Sequence, residues 1–236
     1  MNADRKVAVV TGASQGLGEG IVGAFRDRNY RVVGTSRTIK PSGDPDYVTV
    51  AGDIGDPATG KRVIEEALAH FGRVDTLVNN AGIFIAKPFT EYTDQQYKEV
   101  LSTNLNGFFY ITQRAVEAML KQGSGHIVQI TTTLVEYANS KVPSALTSLS
   151  KGGLAAATRS LAIEYATRNI RVNAVAPGVI KTPLHAPERY AIMAAFHPMN
   201  RMGEIEDITQ AVLYLEDAKF VTGEILHVDG GQIAGR

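Results

Sequence analysis

At 236 residues the chain has room for one large α/β domain or two small ones, and it can bury a core without covalent staples. Its 24 basic and 24 acidic side chains cancel, which argues against a nucleic-acid or membrane footprint. The absence of cysteine excludes disulfides and thiolate chemistry and fits a reducing cytoplasm, the first residues lack the apolar stretch of a signal peptide, and no apolar run approaches a membrane span.

Taken in order, the chain alternates strand and helix patterns. Val7 to Val10 is a short apolar run, as expected for a strand covered on both faces. Gly12, Gly16 and Gly18 follow at once, and apolar periodicity continues to about Arg28. Such a glycine turn lets backbone N–H groups at a helix N-terminus approach a diphosphate without Cβ interference. Its spacing, G-x-x-x-G-x-G, differs from the G-x-G-x-x-G dinucleotide fingerprint, so a ligand-free turn is the competing reading at this point. Further strands are expected over residues 31–36, 47–51, 74–78, 126–130, 170–176 and 224–228. Asp56-Pro57 opens a helix through 71, with Asp at the cap and Pro at the first helical position. Thr93 caps the next helix, and others are expected over 107–121, 144–168 and 205–215. Repeated strand–helix–strand units with short turns imply one doubly wound parallel sheet of about seven strands, a Rossmann-type α/β domain without a second-domain linker. Ligands bind such sheets at the strands' carboxyl ends, where the strand order reverses.

With these elements in place the chain closely resembles the short-chain dehydrogenase/reductase family from about residue 5 to 231. The resemblance rests on Thr11-Gly12-Ala-Ser-Gln-Gly16-Leu-Gly18, Asn79-Asn80-Ala81-Gly82, Ser150-Lys151 with the run to Ala166, Arg171 to Gly178, and Thr222 to Gly231. It implies a nicotinamide cofactor and hydride transfer to or from a carbonyl or alcohol carbon. It also implies an Asn, a Ser, a Tyr and a Lys as the working residues, with Tyr and Lys four apart on one helix face. The Lys would bind the nicotinamide ribose and lower the Tyr pKa, the Tyr would act as acid or base, the Ser would hold the substrate oxygen, and the Asn would extend a proton relay.

This chain keeps part of that set. Asn104 matches the Asn and Lys151 the Lys. The Ser position is assigned to Thr132, which keeps a hydroxyl. Four residues before Lys151 stands Thr147, where the family has Tyr. Phenol has a pKa of about 10 that a neighbouring ammonium pulls toward neutral, whereas an aliphatic hydroxyl is a far weaker acid. An acid–base contribution of about 10²–10⁴-fold is at stake. Tyr137-Ala-Asn-Ser-Lys141 fits Y-x-x-x-K literally, but it starts too soon after Thr132 and Pro143 disfavours a helix there, so it reads as a decoy. Tyr137, or the lid residues Tyr190 or His185, are candidates for a displaced proton donor; a pocket or surface side chain without chemistry is the alternative for each.

By position, the cofactor set comprises Gly12, Ser14, Gln15, Gly16, Leu17 and Gly18 at the turn. Ser36 and Arg37 follow the second strand, Asp53 and Ile54 the third, and Asn80, Ala81 and Gly82 the fourth. Lys151, Pro177, Gly178, Ile180 and Thr182 complete it toward the nicotinamide. No acid stands at the end of the second strand to hold a ribose 2′-hydroxyl, and Arg37 offers a partner for a 2′-phosphate; NADP is expected over NAD. Residues 183–203 fall where the family keeps a substrate lid, rich in apolar side chains, with Tyr137, Leu184 and Tyr190 as substrate contacts and a small apolar substrate as the expectation. The five histidines show no metal-ligand spacing. The expected partners are a small molecule and further copies of the chain, as a tetramer or dimer. An NADP-dependent oxidoreductase with an atypical proton donor is the favoured reading, because Asn104, Lys151 and the lid remain; a silent NADP-binding sensor or oligomer partner is the alternative, and a non-redox enzyme on this scaffold comes last. The intact turn and Lys151 disfavour the last.

Overall fold

The computed structural model describes residues 5–235. Seven strands form one parallel sheet: β1 (Val7–Thr11), β2 (Arg31–Ser36), β3 (Tyr47–Ala51), β4 (Thr76–Asn79), β5 (Gly125–Ile130), β6 (Ile170–Pro177) and β7 (Ile225–Val228). Their spatial order is β3-β2-β1-β4-β5-β6-β7. The chain walks outward from β1 to β3, then returns to the other side of β1 and walks to β7. The order therefore reverses between β1 and β4, and the crevice beyond their carboxyl ends is where this architecture holds ligands.

The helices are α1 (Gly16–Asp27), α2 (Pro57–Phe71), α3 (Asp94–Leu101), α4 (Gly107–Gln122), α5 (Ala145–Tyr165), α6 (Tyr190–Ala194) and α7 (Ile205–Asp217). The continuous apolar runs of the strands are explained by cover on both faces. Along β1, Val7 and Val9 pack with Ile64, Ile111 and Met119 of α2 and α4. Ala8 and Val10 pack with Phe25 of α1 and Ile208 and Leu215 of α7. Local signals set the helix ends. Asp56 accepts the Ala58 N–H at 2.9 Å. Thr93 and Gln96 form a reciprocal capping box at α3. Gly72 and Gly123 close α2 and α4 in the left-handed region, at φ 76° and 81°.

Three features depart from the sequence expectation. The strand expected from 74 begins at Thr76. Asp75 spends its carboxylate on the Val7 N–H at 2.8 Å and on the Arg73 guanidinium, which ties off the strand's entry. Residues 102–106 form a π-turn that joins α3 to α4 and has no marker in hydrophobic spacing. The segment beyond β6 contains the short helix α6.

At the amino ends of the strands lies a buried polar cluster. Glu216, at the end of α7, accepts from Tyr30 Oη at 3.0 Å, Thr76 Oγ1 at 2.8 Å and His126 Nδ1 at 2.8 Å. Lys6 adds an ion pair at 3.1 Å. Asn173 Nδ2 faces His126 Nε2 at 3.1 Å, which makes Nε2 the acceptor and Nδ1 the donor of a neutral imidazole. Burial pushes the His126 pKa down to about 4. Burial opposes charge on Glu216 too, but the bonds from His126 and Thr76 and the Lys6 charge hold its carboxyl well below the usual range.

Candidate functional site

A cleft of about 840 Å³ opens beyond the carboxyl ends of the strands. Its floor at the β1–β4 reversal is the glycine turn. Gly12 and Gly16 hold φ of +68° and +59°, which side-chain-bearing residues rarely adopt. A Cβ on Gly18 would lie 2.1 Å from the Gly12 carbonyl oxygen, so α1 can start against the turn only with glycine there. Gln15 caps α1 without a side-chain hydrogen bond, which leaves the helix's first N–H groups open toward the cleft. Thr11 Oγ1 accepts from the Asn80 and Ala81 N–H groups at 3.0 and 2.9 Å, and Asn80 Nδ2 donates to the Thr11 carbonyl at 2.9 Å. These bonds lock the turn after β1 to the turn after β4. Open N–H groups with no room for a side chain fit a diphosphate.

Ser14, Gln15, Gly16 and Leu17 line the cleft with Ser36, Arg37, Asp53 and Ile54. Asn80, Ala81, Gly82, Pro177, Gly178 and Thr182 line it as well, together with Thr132, Thr147, Lys151 and Leu184. Gly18 and Asn104 sit just behind that surface and are buried. Ile180 does not reach it. It packs in the core at 5% exposure against Gly203, whose Cβ would meet its Cδ1 at 2.4 Å, and Val179 takes the cleft-facing place. Tyr137 and Tyr190 also lie off the lining, whereas His185 lies on it. Burial and the Arg189 charge lower the His185 pKa.

The π-turn places Asn104 inward. Its Oδ1 accepts the Ile83 N–H at 2.8 Å, and its Nδ2 donates to the Ile83 carbonyl at 3.1 Å and to Ser150 Oγ at 3.0 Å. Ser150 Oγ donates onward to the Thr147 carbonyl at 3.1 Å, so Asn104 is tied to the first turns of α5. One step along α5, Lys151 Nζ donates to the Ile130 carbonyl at 2.6 Å. Burial pushes its pKa down to about 8. A Cβ on Gly82 would stand 3.0 Å from Nζ, so glycine clears the space beside the amine.

Among the three consecutive threonines after β5, Thr131 and Thr133 donate to the carbonyls of Val175 and Pro177. Thr132 Oγ1 accepts from the Leu134 N–H at 3.3 Å and has no acceptor for its proton among the described residues. Thr147 is 2% exposed, and its Oγ1 has no hydrogen-bond partner among the described residues. A hydroxyl desolvated without a partner costs stability, which marks this position.

Met193 and Phe196 of the expected apolar lid supply wall, whereas sequence reasoning gave no lining role to Phe84 and Val142, or to Lys141 and Arg189 on the rim. Lys141 was in view only as half of a decoy motif. Arg189 lies in a 3₁₀ turn, Pro187–Arg189, that carries no pattern of its own.

A family model described as Enoyl-(Acyl carrier protein) reductase matches residues 12–232. The chain belongs to the short-chain dehydrogenase/reductase family. It is 36% identical over 243 residues to the 3-oxoacyl-[acyl-carrier-protein] reductase FabG of Escherichia coli (strain K12), covering 98% of each chain. The Thermotoga maritima FabG is 33% identical over 247 residues, covering 99% of this chain and 100% of the relative. Among solved structures, ElxO with NADP bound superposes with a TM-score of 0.91 at 28% identity, over 98% of this chain and 100% of that one. A Brucella melitensis 3-ketoacyl-(acyl-carrier-protein) reductase complexed with NADH superposes with a TM-score of 0.89 at 29% identity, over the same shares. This short-chain dehydrogenase/reductase thus has the Rossmann-type sheet of an oxidoreductase family whose solved members include nicotinamide complexes. No helix among the described residues is long and apolar enough to cross a membrane.

Proposed function

We propose that this protein is an NADP-dependent oxidoreductase that interconverts a carbonyl and an alcohol on a small, largely apolar substrate, and that it manages the proton without a tyrosine at position 147. The glycine turn would hold the diphosphate through the open N–H groups of α1. Arg37 would pair with the adenosine 2′-phosphate, Asp53 and Ile54 would border the adenine, and Asn80 to Gly82 would pass along the ribose. Pro177, Gly178 and Thr182 would edge the nicotinamide. When bound, the nicotinamide supplies or accepts the hydride.

The chain's own residues supply the proton path. Thr132, whose hydroxyl proton lacks an internal acceptor, holds the substrate oxygen. The Lys151 ammonium is the proton source in the reducing direction. It passes a proton to the developing alkoxide, and takes one back in the oxidising direction. Asn104 fixes the start of α5 through Ser150 and so positions Thr147 and Lys151. The observation that carries this reading is the buried Lys151 side chain on the cleft lining, four residues after Thr147 and on the same lining as Thr132. Tyr137 and Tyr190 are given no role in this reading, since neither is among the residues that line the cleft. His185 does border it and is the alternative source. Residues 183–203, with α6 at their centre, act as the substrate lid. Leu149 and Ile163 on α5 are 60% and 80% exposed, an apolar face suited to a homo-oligomer.

The same missing phenol supports a second reading, a silent NADP sensor. Titration with NADPH and NADH, followed by turnover on a panel of aldehydes and ketones by wild type and Thr147→Tyr, separates the two. Charge pairing at Arg37 should favour NADPH by about tenfold or more. Wild-type turnover establishes the reductase. Tight NADPH binding with turnover only in Thr147→Tyr establishes the sensor, and failure to bind either nucleotide ends both.

A further inference from the structure

The cleft is electrostatically lopsided in a chain whose net charge is zero. Seven arginines, Arg5, Arg26, Arg28, Arg31, Arg73, Arg114 and Arg201, each face a carboxylate. Arg37, Lys141 and Arg189 line the cleft and form no ion pair among the described residues. Asp53 is the only carboxylate on the lining.

Strand order sorts these charges. Arg37 and Asp53 follow β2 and β3, on one side of the β1–β4 reversal. Lys141 follows β5 and Arg189 follows β6, on the other side, where Thr132 and Thr147 also lie. At that end two exposed cations and His185 line the cleft with no carboxylate on the lining; of the nearby acids, Glu136 pairs with His227 and Glu188 precedes Arg189 off the lining, and the wall includes Leu134, Val142, Met193 and Phe196. His185 and Arg189 stand four residues apart in the chain, and both line the cleft. Like charges gathered without counter-ions cost free energy, and an anion held between them recovers it. An ammonium and a guanidinium fork are the donors that recognise a carboxylate by charge-assisted hydrogen bonds.

We propose that the substrate carries an anionic group at the end remote from its reacting carbon, and that Lys141 and Arg189 bind it at the rim between the loop after β5 and the lid. The substrate class is then a small oxo acid or hydroxy acid with an apolar body. This rests on the oxidoreductase reading of the same cleft and narrows it.

The test uses the full chain and a series of ω-oxo and keto acids of increasing length, each paired with its neutral methyl ester. Steady-state NADPH oxidation gives KM and kcat for each member. Calorimetric titration of each member into the protein, with and without saturating NADP, gives binding independently of turnover. The expected result is that the best acid has a KM or Kd about tenfold or more below that of its ester. The preference should shrink as salt is raised from 0.05 M to 0.5 M, because rim charges are screened over about 4–14 Å in that range. Lys141→Gln with Arg189→Gln should bring the acid-to-ester ratio toward one through KM rather than kcat, while the NADPH titration stays as in wild type. Acids that bind no better than their esters, or an acid preference that survives the double substitution, overturn the proposal. Loss of NADPH binding in the wild type would instead end the oxidoreductase reading, and the calorimetric comparison of acid and ester would still decide the anion site.

Discussion

Lys151 tests whether the cleft has been built against the stability of the fold. The residue is 7% exposed, and its amine has the Ile130 carbonyl at 2.6 Å as its partner. Burial brings its pKa from 10.5 to about 8. At about 1.36 kcal/mol per pH unit, holding the ammonium in the folded chain costs about 3 kcal/mol at neutral pH. Lys151→Met keeps a stem of similar length, removes the charge, and strands the Ile130 carbonyl at a cost of about 1 kcal/mol. The variant should therefore be about 2 kcal/mol more stable than wild type at pH 7 without cofactor. The sign follows from proton binding. Between pH 8 and 10.5 the unfolded chain holds this proton more tightly than the folded one, so wild-type stability from this group rises with pH. The advantage of Lys151→Met is full below pH 8 and disappears by about pH 10.5. Urea unfolding at pH 7 and pH 10 measures both. A variant no more stable than wild type at pH 7, or an advantage equal at both pH values, refutes the reasoning. The same substitution should lower turnover by about 10²-fold or more, and wild-type reduction should decline above pH 8 as the ammonium is lost.

Other outcomes follow from single contacts. Gly18→Ala puts a Cβ where only 2.1 Å separates it from the Gly12 carbonyl oxygen, so α1 must shift off the turn. NADPH binding by fluorescence titration should fall at least about a hundredfold, as expected when a diphosphate cradle loses its geometry. Glu216→Ala leaves the Tyr30 and Thr76 hydroxyls and His126 Nδ1 without an acceptor in a buried site, and should cost about 3–5 kcal/mol in urea unfolding. Its NADPH affinity should stay that of wild type, because the cluster lies at the amino ends of the strands. A cost below about 1 kcal/mol would show that the cluster relaxes or takes in water.

The seven-stranded parallel sheet was legible in the amino-acid sequence. Strands buried on both faces must be continuously apolar, and the caps at Asp56 and Thr93 act within a single turn, so the signal for each lies in a few adjacent residues. The glycine turn and the placement of Lys151 and Thr147 on one helix were equally local, being matters of backbone conformation and of spacing by four. What the sequence could not decide was which side chains share a surface when their elements are far apart in the chain. Tyr137 and Tyr190 fall in segments that border the cleft, yet neither is among the residues that line it, whereas Lys141 and Arg189, 48 positions apart, both line it. Ile180 goes to the core because Gly203 leaves room for it there. The lone hydroxyl of Thr147 and the unpaired rim cations are likewise properties of the packed molecule, since a missing partner exists only once every neighbour has been placed.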